Sequence, residues 1–202
     1  MEKQLPKLVL IIGVAGSGKT EVGKQVSKHL NYVYIDKDTL TRPYTEKFLK
    51  TSSPNQDPND RESAFYLEHV RPLEYLISLN VAEENLRLGN HVVISAPFLS
   101  EAKMTNWIKK EVLVGRRLMR KIDVKVIWVE SDRETERKRI IQRGAERDKW
   151  KLFHWDQYTE GIDNFKLQWG IDQQNLFVFD NRELPSVPFS KQMEELIKWI
   201  EN

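Results

Sequence analysis

Residues 13–20 read Gly-Val-Ala-Gly-Ser-Gly-Lys-Thr, a complete match to the phosphate-loop pattern G-x-x-x-x-G-K-[ST]. The apolar run Leu8–Ile12 precedes this stretch, and a helix-like segment from Lys19 to Leu30 follows it. In a strand–turn–helix arrangement, glycines let backbone N–H groups converge on phosphate oxygens, and the helix N-terminus adds its dipole. The stretch therefore predicts a nucleoside triphosphate site.

The residues of this loop have separate predicted roles. Lys19 reaches the outer phosphates, and the Thr20 hydroxyl is a ligand for Mg²⁺. The predicted nucleotide-binding residues are Gly13, Val14, Ala15, Gly16, Ser17, Gly18, Lys19 and Thr20. The fate of the γ-phosphate depends on residues elsewhere in the chain.

Composition excludes several classes of function. The chain has 202 residues, with 32 Lys and Arg against 30 Asp and Glu, so nonspecific binding to nucleic acid or membrane is not expected. The absence of cysteine excludes disulfides, thiolate nucleophiles and cysteine-based zinc sites. The first residues lead straight into a strand, and no apolar run approaches a membrane span, so we expect a cytoplasmic protein. Its length predicts one domain over residues 1–202.

Five apolar runs, rich in Val and Ile and mostly not alternating, are typical of parallel strands buried on both faces. They are Lys7–Ile12, Tyr32–Ile35, His91–Ser95, Val124–Val129 and Leu176–Phe179. Helix-like segments lie between them: Lys19–Leu30, Arg61–Leu88, Glu101–Lys110, Arg133–Gln142, Trp155–Gln168 and Ser190–Ile200. We expect Pro72 to break or restart the second helix. The alternation predicts an α/β fold, a three-layer α/β/α sandwich with ligands at the carboxyl ends of the strands.

Two carboxylates, Asp36 and Asp38, follow the second strand and so lie at the same edge of the sheet as the phosphate loop. A carboxylate there can orient an acceptor hydroxyl, accept its proton, or hold Mg²⁺ through water. We assign Asp38 to the acceptor and Asp36 to the metal. The alternative for either residue is to cap the helix that follows. Arg42 is a candidate for binding an anionic group of the acceptor, or it is simply solvated.

Arginines are concentrated after the fourth strand. A helix beginning at Arg133 continues to Arg143, Gly144 ends it, and Arg147 follows in a predicted flap. Arginines on a closing lid suit γ-phosphate stabilisation, because guanidinium groups match phosphate oxygens and closure excludes water. We predict that Arg143 and Arg147 are catalytic, together with Lys19 and Asp38. A salt-bridged surface helix is the alternative, and it is favoured for Arg133 and Arg137.

Other signatures are missing or carry less weight. No Asn-Lys-x-Asp guanine-specificity motif occurs, and the third strand ends in Ser95 where motor NTPases carry an acidic pair, so GTPases and motors are disfavoured. The residues Trp155, Tyr158, Ile162, Phe165 and Trp169 recur at spacings of three and four, which predicts an apolar helix face for core packing.

Several of these segments together resemble the small P-loop kinases over residues 7–180. They are the phosphate loop, the run from Ile35 to Thr39, the strand from Leu88 to Phe98, and the helix from Arg133 leading to Arg143–Asp148. The likeness is to the gluconate/shikimate-kinase branch and its zeta-toxin-like and polynucleotide-kinase-like relatives, a group often labelled AAA-family ATPases. It implies a five-stranded parallel sheet of order 2-3-1-4-5, an acceptor region near residues 39–88 and a lid near residues 143–156. It also implies ATP, Mg²⁺ and transfer of the γ-phosphate to an acceptor hydroxyl. Ser95 departs from relatives that have an acidic residue after the third strand.

The region between Thr39 and Leu88 is expected to choose the acceptor, with the face carrying Arg61 and Arg71 as the first candidate for substrate contact. Its side chains suit a small polar metabolite such as a sugar acid, a nucleoside or an antibiotic-like compound. A kinase for nucleic-acid ends or nucleotide-sugars is an alternative, and near-neutral charge argues against the nucleic-acid version. A nucleotide-binding sensor with little turnover is a further alternative. We expect a monomer or a homodimer and no membrane partner.

Overall fold

A five-stranded parallel sheet lies at the centre of the computed structural model, which describes residues 5–163 and 167–202. Its strands are β1 (Lys7–Ile12), β2 (Val33–Asp36), β3 (Val92–Ser95), β4 (Asp123–Glu130) and β5 (Leu176–Asp180). Their order in the sheet is β2-β3-β1-β4-β5, and every neighbouring pair is parallel. The predicted fold class, the five strands and the order implied by the resemblance are all confirmed.

Helices cover both faces of the sheet. Successive residues of β1 point to opposite sides, and apart from Lys7 both sets are apolar, so each face of the sheet has to be buried. Leu8 and Leu10 pack on one side with residues of α3, whereas Val9 and Ile11 pack on the other with residues of α1 and α8. The helices are α1 (Lys19–Leu30), α2 (Lys37–Ser52), α3 (Arg71–Arg87), α4 (Leu99–Ala102), α5 (Arg133–Arg143), α6 (Lys149–Phe153), α7 (Trp155–Asp163) and α8 (Phe189–Glu201). Within the described ranges, no helix has the length and apolar character needed to cross a lipid bilayer.

The capping alternative for Asp36 and Asp38 presupposes a helix after the second strand, but α2 is absent from the helix segments predicted by periodicity, and its burial pattern gives the reason. The helix buries Lys37, Thr41, Thr45 and Leu49, which are spaced four residues apart on one face. Three of these four are polar, so the apolar periodicity that reveals most helices does not appear. Pro43 lies inside the same helix and further weakens the helical signal.

The predicted helix Arg61–Leu88 is interrupted just before Pro72. A π-helical turn, Tyr66–Val70, leads into α3, and Pro72 lies in the first turn of α3. Proline has no N–H to donate, so the wider turn and the new helix start accommodate it. The predicted restart at Pro72 is therefore confirmed.

Two other helix predictions are corrected. The segment Glu101–Lys110 is not one helix, since α4 ends at Ala102 and a π-helical turn occupies Ile108–Val114. The helix predicted over Trp155–Gln168 is observed as α7 up to Asp163, and residues 164–166, including Phe165, lie outside the described residues. Trp169 lies beyond α7 and stacks against Trp107 in the core, so the five-residue apolar face is not a single face of this helix.

Candidate functional site

The phosphate loop joins the carboxyl end of β1 to α1 and depends on glycine at two positions. Gly16 has φ +82°, and a Cβ atom there would lie 2.5 Å from the carbonyl oxygen of Glu136. Gly18 has φ +90°, and a Cβ atom there would lie 2.1 Å from Nδ2 of Asn181. Other residues rarely adopt these angles, and a side chain at Gly16 would clash with the backbone of Glu136, whereas one at Gly18 would displace the Asn181 side chain. The loop is therefore packed tightly against α5 and the segment after β5.

Side chains from distant parts of the chain hold the loop through its backbone. Arg139 Nη1 donates to the carbonyl oxygens of Gly16 at 3.3 Å and Ser17 at 3.2 Å, and Asn181 Nδ2 donates to Ser17 O at 2.7 Å. The Tyr158 hydroxyl accepts a hydrogen bond from the N–H of Ala15 at 3.3 Å. An incoming phosphate oxygen has to compete with Tyr158 for this N–H group.

Lys19 extends over the same loop. Its Nζ donates to the carbonyl oxygen of Val14 at 3.1 Å. Withdrawal from bulk water lowers the pKa of the Lys19 ammonium to about 8, against the opposing effect of the Asp38 carboxylate, and repulsion from Arg143 lowers it further. A polyanion bound in the loop would favour the charged form of this lysine, so anion binding and protonation support each other here.

Asp36 uses its two carboxylate oxygens for different purposes. Oδ1 accepts a hydrogen bond from the Thr39 N–H at 2.8 Å and caps α2. Oδ2 accepts from the Thr20 hydroxyl at 3.3 Å and from the Tyr34 hydroxyl at 3.4 Å. The capping role and the position beside Thr20 thus coexist in one residue. A hydroxyl and a carboxylate are hard oxygen ligands that suit Mg²⁺, which takes its other ligands from phosphate and water.

Asp38 lies between two cations. Its Oδ1 is 2.9 Å from Lys37 Nζ, and its Oδ2 is 2.8 Å from Arg147 Nη1. Burial raises the pKa of the Asp38 carboxyl, but the charges of Lys37 and Arg147 outweigh this effect and hold the pKa well below its usual range. The side chain keeps 35% of its surface exposed, so an ionised carboxylate is available to accept a hydrogen bond.

The two predicted lid arginines lie at the end of α5 and in the turn that follows it. Arg143 is the last residue of α5, and its Nε and Nη2 contact Asp148 Oδ2 at 2.9 and 2.6 Å. Gly144, with φ +60°, ends the helix, and Arg147 follows in the short 3₁₀ turn Glu146–Asp148. Each arginine thus has one carboxylate partner, and the predicted lid consists of this turn followed by α6 and the start of α7.

These groups surround a cavity of about 210 Å³. Its lining brings together Lys19 and Ala15 of the phosphate loop, Asp38, and both lid arginines. Of the predicted acceptor contacts, Arg61 and Arg71 are in the lining, whereas Arg42 is exposed on α2 and is not part of it.

The cations of the cavity differ in their partners. Arg71 contacts both carboxylate oxygens of Glu101 at 2.7 Å, and its guanidinium lies 4.6 Å from the centre of the Tyr75 ring. Lys151 pairs with Glu62 at 2.6 Å. Arg61 donates only to the carbonyl oxygen of Pro58 and lies over the Tyr66 ring. Among the described residues of the lining, Arg61 and Lys19 are the cations that have no carboxylate within 4 Å.

Several residues of the site were missed by sequence reasoning. Tyr158 was assigned to core packing, but it is half-buried, lines the cavity and contacts the phosphate loop. Arg139 on α5 and Asn181 just after β5 also contact the phosphate loop, and only the fold brings these distant segments to it. Lys37 had a local signal in the sequence, because it is the single cation between two carboxylates, Asp36 and Asp38.

Comparisons with known proteins identify the family to which the chain belongs. A family model described as an AAA domain matches residues 8–165. A shikimate kinase from Synechococcus elongatus is 33% identical over 70 residues, which make up 35% of this chain and 35% of that kinase. The match therefore spans about a third of the length of this curated relative.

Two solved structures have the same fold over nearly their whole length. A sugar kinase from Janibacter sp. HTCC2649 has a TM-score of 0.58 at 15% identity, covering 97% of this chain and 95% of that one. The Mycobacterium tuberculosis APS kinase CysC, in complex with AMPPNP and APS, has a TM-score of 0.55 at 19% identity, covering 98% and 99%. The resemblance to the small P-loop kinases is confirmed at the level of the fold.

We expect Gly16→Ala to destabilise the protein more than Gly89→Ala. Both glycines have positive φ, which costs another residue about 1–2 kcal/mol. A Cβ at Gly89 meets no atom within 4 Å, whereas one at Gly16 meets the Glu136 backbone, so only Gly16→Ala adds a steric clash. Thermal unfolding without nucleotide measures the difference, and equal losses of Tm would contradict the tight packing of the loop against α5.

Proposed function

Because this chain belongs to the AAA domain family, we propose that it uses ATP and Mg²⁺ to phosphorylate a hydroxyl of a small acceptor bearing an anionic group. The observation that carries the proposal is the position of Asp38. Its ionised carboxylate faces the cavity that also contains Lys19 of the phosphate loop. A hydroxyl bound at Asp38 is thereby directed toward a phosphate bound at the loop.

The residues divide the chemistry among themselves. The backbone of residues 13–20 and the Lys19 ammonium bind the phosphates. Asp38 accepts a hydrogen bond from the acceptor hydroxyl and orients it, and the low pKa of this carboxylate makes orientation its main contribution. Thr20 and Asp36 would hold Mg²⁺, which when bound neutralises charge on the β- and γ-phosphates.

The lid arginines supply the remaining positive charge. Phosphoryl transfer spreads negative charge over the equatorial oxygens of the γ-phosphate, and guanidinium groups match those oxygens. Arg143 and Arg147 line the cavity together with Lys19, which supports a role for both in neutralising that charge. Closure of their segment also excludes water, which limits transfer to water instead of the acceptor.

The charge of the cavity supports an anionic acceptor. Among the described residues, seven cationic side chains line the cavity against three carboxylates, and Arg61 has no carboxylate partner there. A carboxylate, sulfate or phosphate group on the acceptor would give Arg61 a charge-assisted hydrogen bond. A sugar acid fits this requirement, and a polycationic antibiotic does not. The name of the shikimate kinase relative is consistent with such an acceptor, because shikimate is a carboxylate.

Charge and site chemistry separate this proposal from its alternatives. A cavity of about 210 Å³ accommodates a small metabolite, and the near-neutral charge of the chain disfavours a kinase for nucleic-acid ends, which needs a basic surface to bind the phosphate backbone. A nucleotide-binding sensor would use the phosphate loop but would have no need for Asp38.

Asp38→Asn should abolish acceptor-dependent turnover. Loss of a hydroxyl-orienting carboxylate is expected to lower kcat at least about 100-fold, because the acceptor is no longer held for in-line attack. ADP release from ATP·Mg²⁺ is measured with sugar acids, sugars, nucleosides and 5′-hydroxyl oligonucleotides, and ATP binding is measured separately as the control. Slow ADP release that no acceptor stimulates, and that is unchanged in the variant, would favour the sensor.

Arg61→Gln should raise the KM of an anionic acceptor about tenfold or more, since a hydrogen bond to a charged group contributes about 1.5–3 kcal/mol. Arg61→Lys, which keeps the charge, should restore part of the affinity. Arg120→Gln, on the exposed loop before β4 at the opposite end of the strands, serves as the control. A larger effect of Arg42→Gln than of Arg61→Gln would place the acceptor anion outside the cavity.

Tyr158→Phe should tighten ATP binding about twofold to tenfold, the equivalent of one hydrogen bond worth about 0.5–1.5 kcal/mol. The Tyr158 hydroxyl occupies the Ala15 N–H, and a phosphate oxygen no longer has to displace it in the variant. Titration with a non-hydrolysable ATP analogue gives the affinity, with Tyr44→Phe on the exposed surface of α2 as the control. Weaker binding would show instead that the hydroxyl contacts the nucleotide.

A further inference from the structure

An ion pair lies buried beneath the cavity, between α2 and α3. Lys37 and Glu74 are 3% and 2% exposed, and Lys37 Nζ is 2.5 Å from Glu74 Oε2. Glu74 also accepts hydrogen bonds from the hydroxyls of Thr45 at 2.7 Å and Tyr66 at 2.8 Å. Charges this deep are tolerated because they are paired and hydrogen-bonded.

Stability of the fold does not by itself explain this pair. Apolar residues of similar volume often stabilise a core as well as a buried ion pair or better, because both charges must be desolvated. Any function of the Lys37–Glu74 pair therefore depends on the groups that its charged atoms contact. The Lys37 ammonium makes one further ion pair, with Asp38 Oδ1 at 2.9 Å, and that contact leads out of the core into the cavity.

Lys37 has little freedom to move. Its ammonium is held by Glu74 on one side and by Asp38 on the other, and it lies 5.5 Å from the centre of the Tyr75 ring. The other partner of Asp38, Arg147, belongs to the lid segment. Of the two cations on Asp38, Lys37 is anchored between α2 and α3 by Glu74, independently of the lid segment.

We propose that Lys37 is the positioning residue of this site: its buried ammonium fixes one oxygen of Asp38 and so aims the other at the acceptor hydroxyl. This inference rests on the proposed function, and Lys37 acts through Asp38 rather than on the substrate. Glu74 has the complementary task of neutralising Lys37. Because Glu74 offsets the charge of Lys37, the negative charge of Asp38 remains available to the acceptor.

The test compares Lys37→Met, Glu74→Gln and the double variant. Lys37→Met alone leaves Glu74 buried without its cation, so a large loss of Tm is expected and its activity is ambiguous. The double variant removes both charges at nearly constant volume, so its Tm should recover toward that of the wild type. Its acceptor-dependent kcat should remain about 10- to 100-fold low, because Asp38 is no longer held in the attacking geometry. The Kd for ATP should not change.

A second buried lysine provides the matched control. Lys7 is also 3% exposed, but its ammonium donates to the carbonyl oxygens of Ile200 and Glu201 at the end of α8, away from the cavity. Lys7→Met should lower Tm and leave kcat unchanged. This variant shows whether loss of a buried lysine impairs turnover merely by loosening the fold.

The outcomes separate the two proposals. If the double variant recovers both Tm and kcat, Lys37 serves only the fold and the inference is overturned. If the wild type shows no acceptor-stimulated ADP release, the proposed function fails and the inference falls with it. Low kcat in the double variant, with normal Tm and normal ATP affinity, supports Lys37 as the positioning residue.

Discussion

The site depends on the divergence of three successive charged side chains where β2 passes into α2. Asp36 turns toward Thr20 of the phosphate loop, Lys37 turns inward to Glu74, and Asp38 faces the cavity. A helix turns about 100° per residue, so neighbours at its start cannot share a direction. Under the proposed function, one short segment thus supplies a carboxylate beside the metal-binding hydroxyl of Thr20, an anchor in the core and a carboxylate that faces the acceptor.

The sheet order makes this divergence useful. β3 lies between β2 and β1, and all three strands run parallel, so the segment after β2 and the phosphate loop after β1 emerge at the same edge. The gap of one strand between them is bridged by side chains. Tyr34 on β2 donates to the backbone oxygen of Thr20, and the Thr20 hydroxyl reaches Asp36. Asp38 and Lys19 line the same cavity, where the proposed function has the acceptor bind between them.

The sequence was sufficient to predict the structural features whose pattern lies within a few neighbouring residues. The phosphate loop, the five strands and the restart at Pro72 follow from patterns within a few residues, and they are observed as predicted. Helix α2 was missed because its buried face carries Lys37, Thr41 and Thr45 in place of apolar residues. The sequence also did not predict which charged groups pair with each other. Lys37 and Glu74 are 37 positions apart, and no local pattern marks Glu74 as buried. Tyr158 fitted an apolar helical face, and only the fold brings its hydroxyl to the loop.

Under the proposed function, the pairing of the cations also orders the events in the cavity. Arg147 is held by Asp38 and Arg143 by Asp148, so a γ-phosphate has to replace these carboxylates to engage the arginines. When Arg147 moves from Asp38 to the phosphate, it frees the Asp38 oxygen that the acceptor hydroxyl needs. Lys37 keeps the other oxygen fixed during that exchange. Arrival of the phosphate therefore frees the Asp38 carboxylate for the acceptor. Among the described residues Arg61 has no carboxylate partner to exchange, so it can bind the acceptor anion before or after this step.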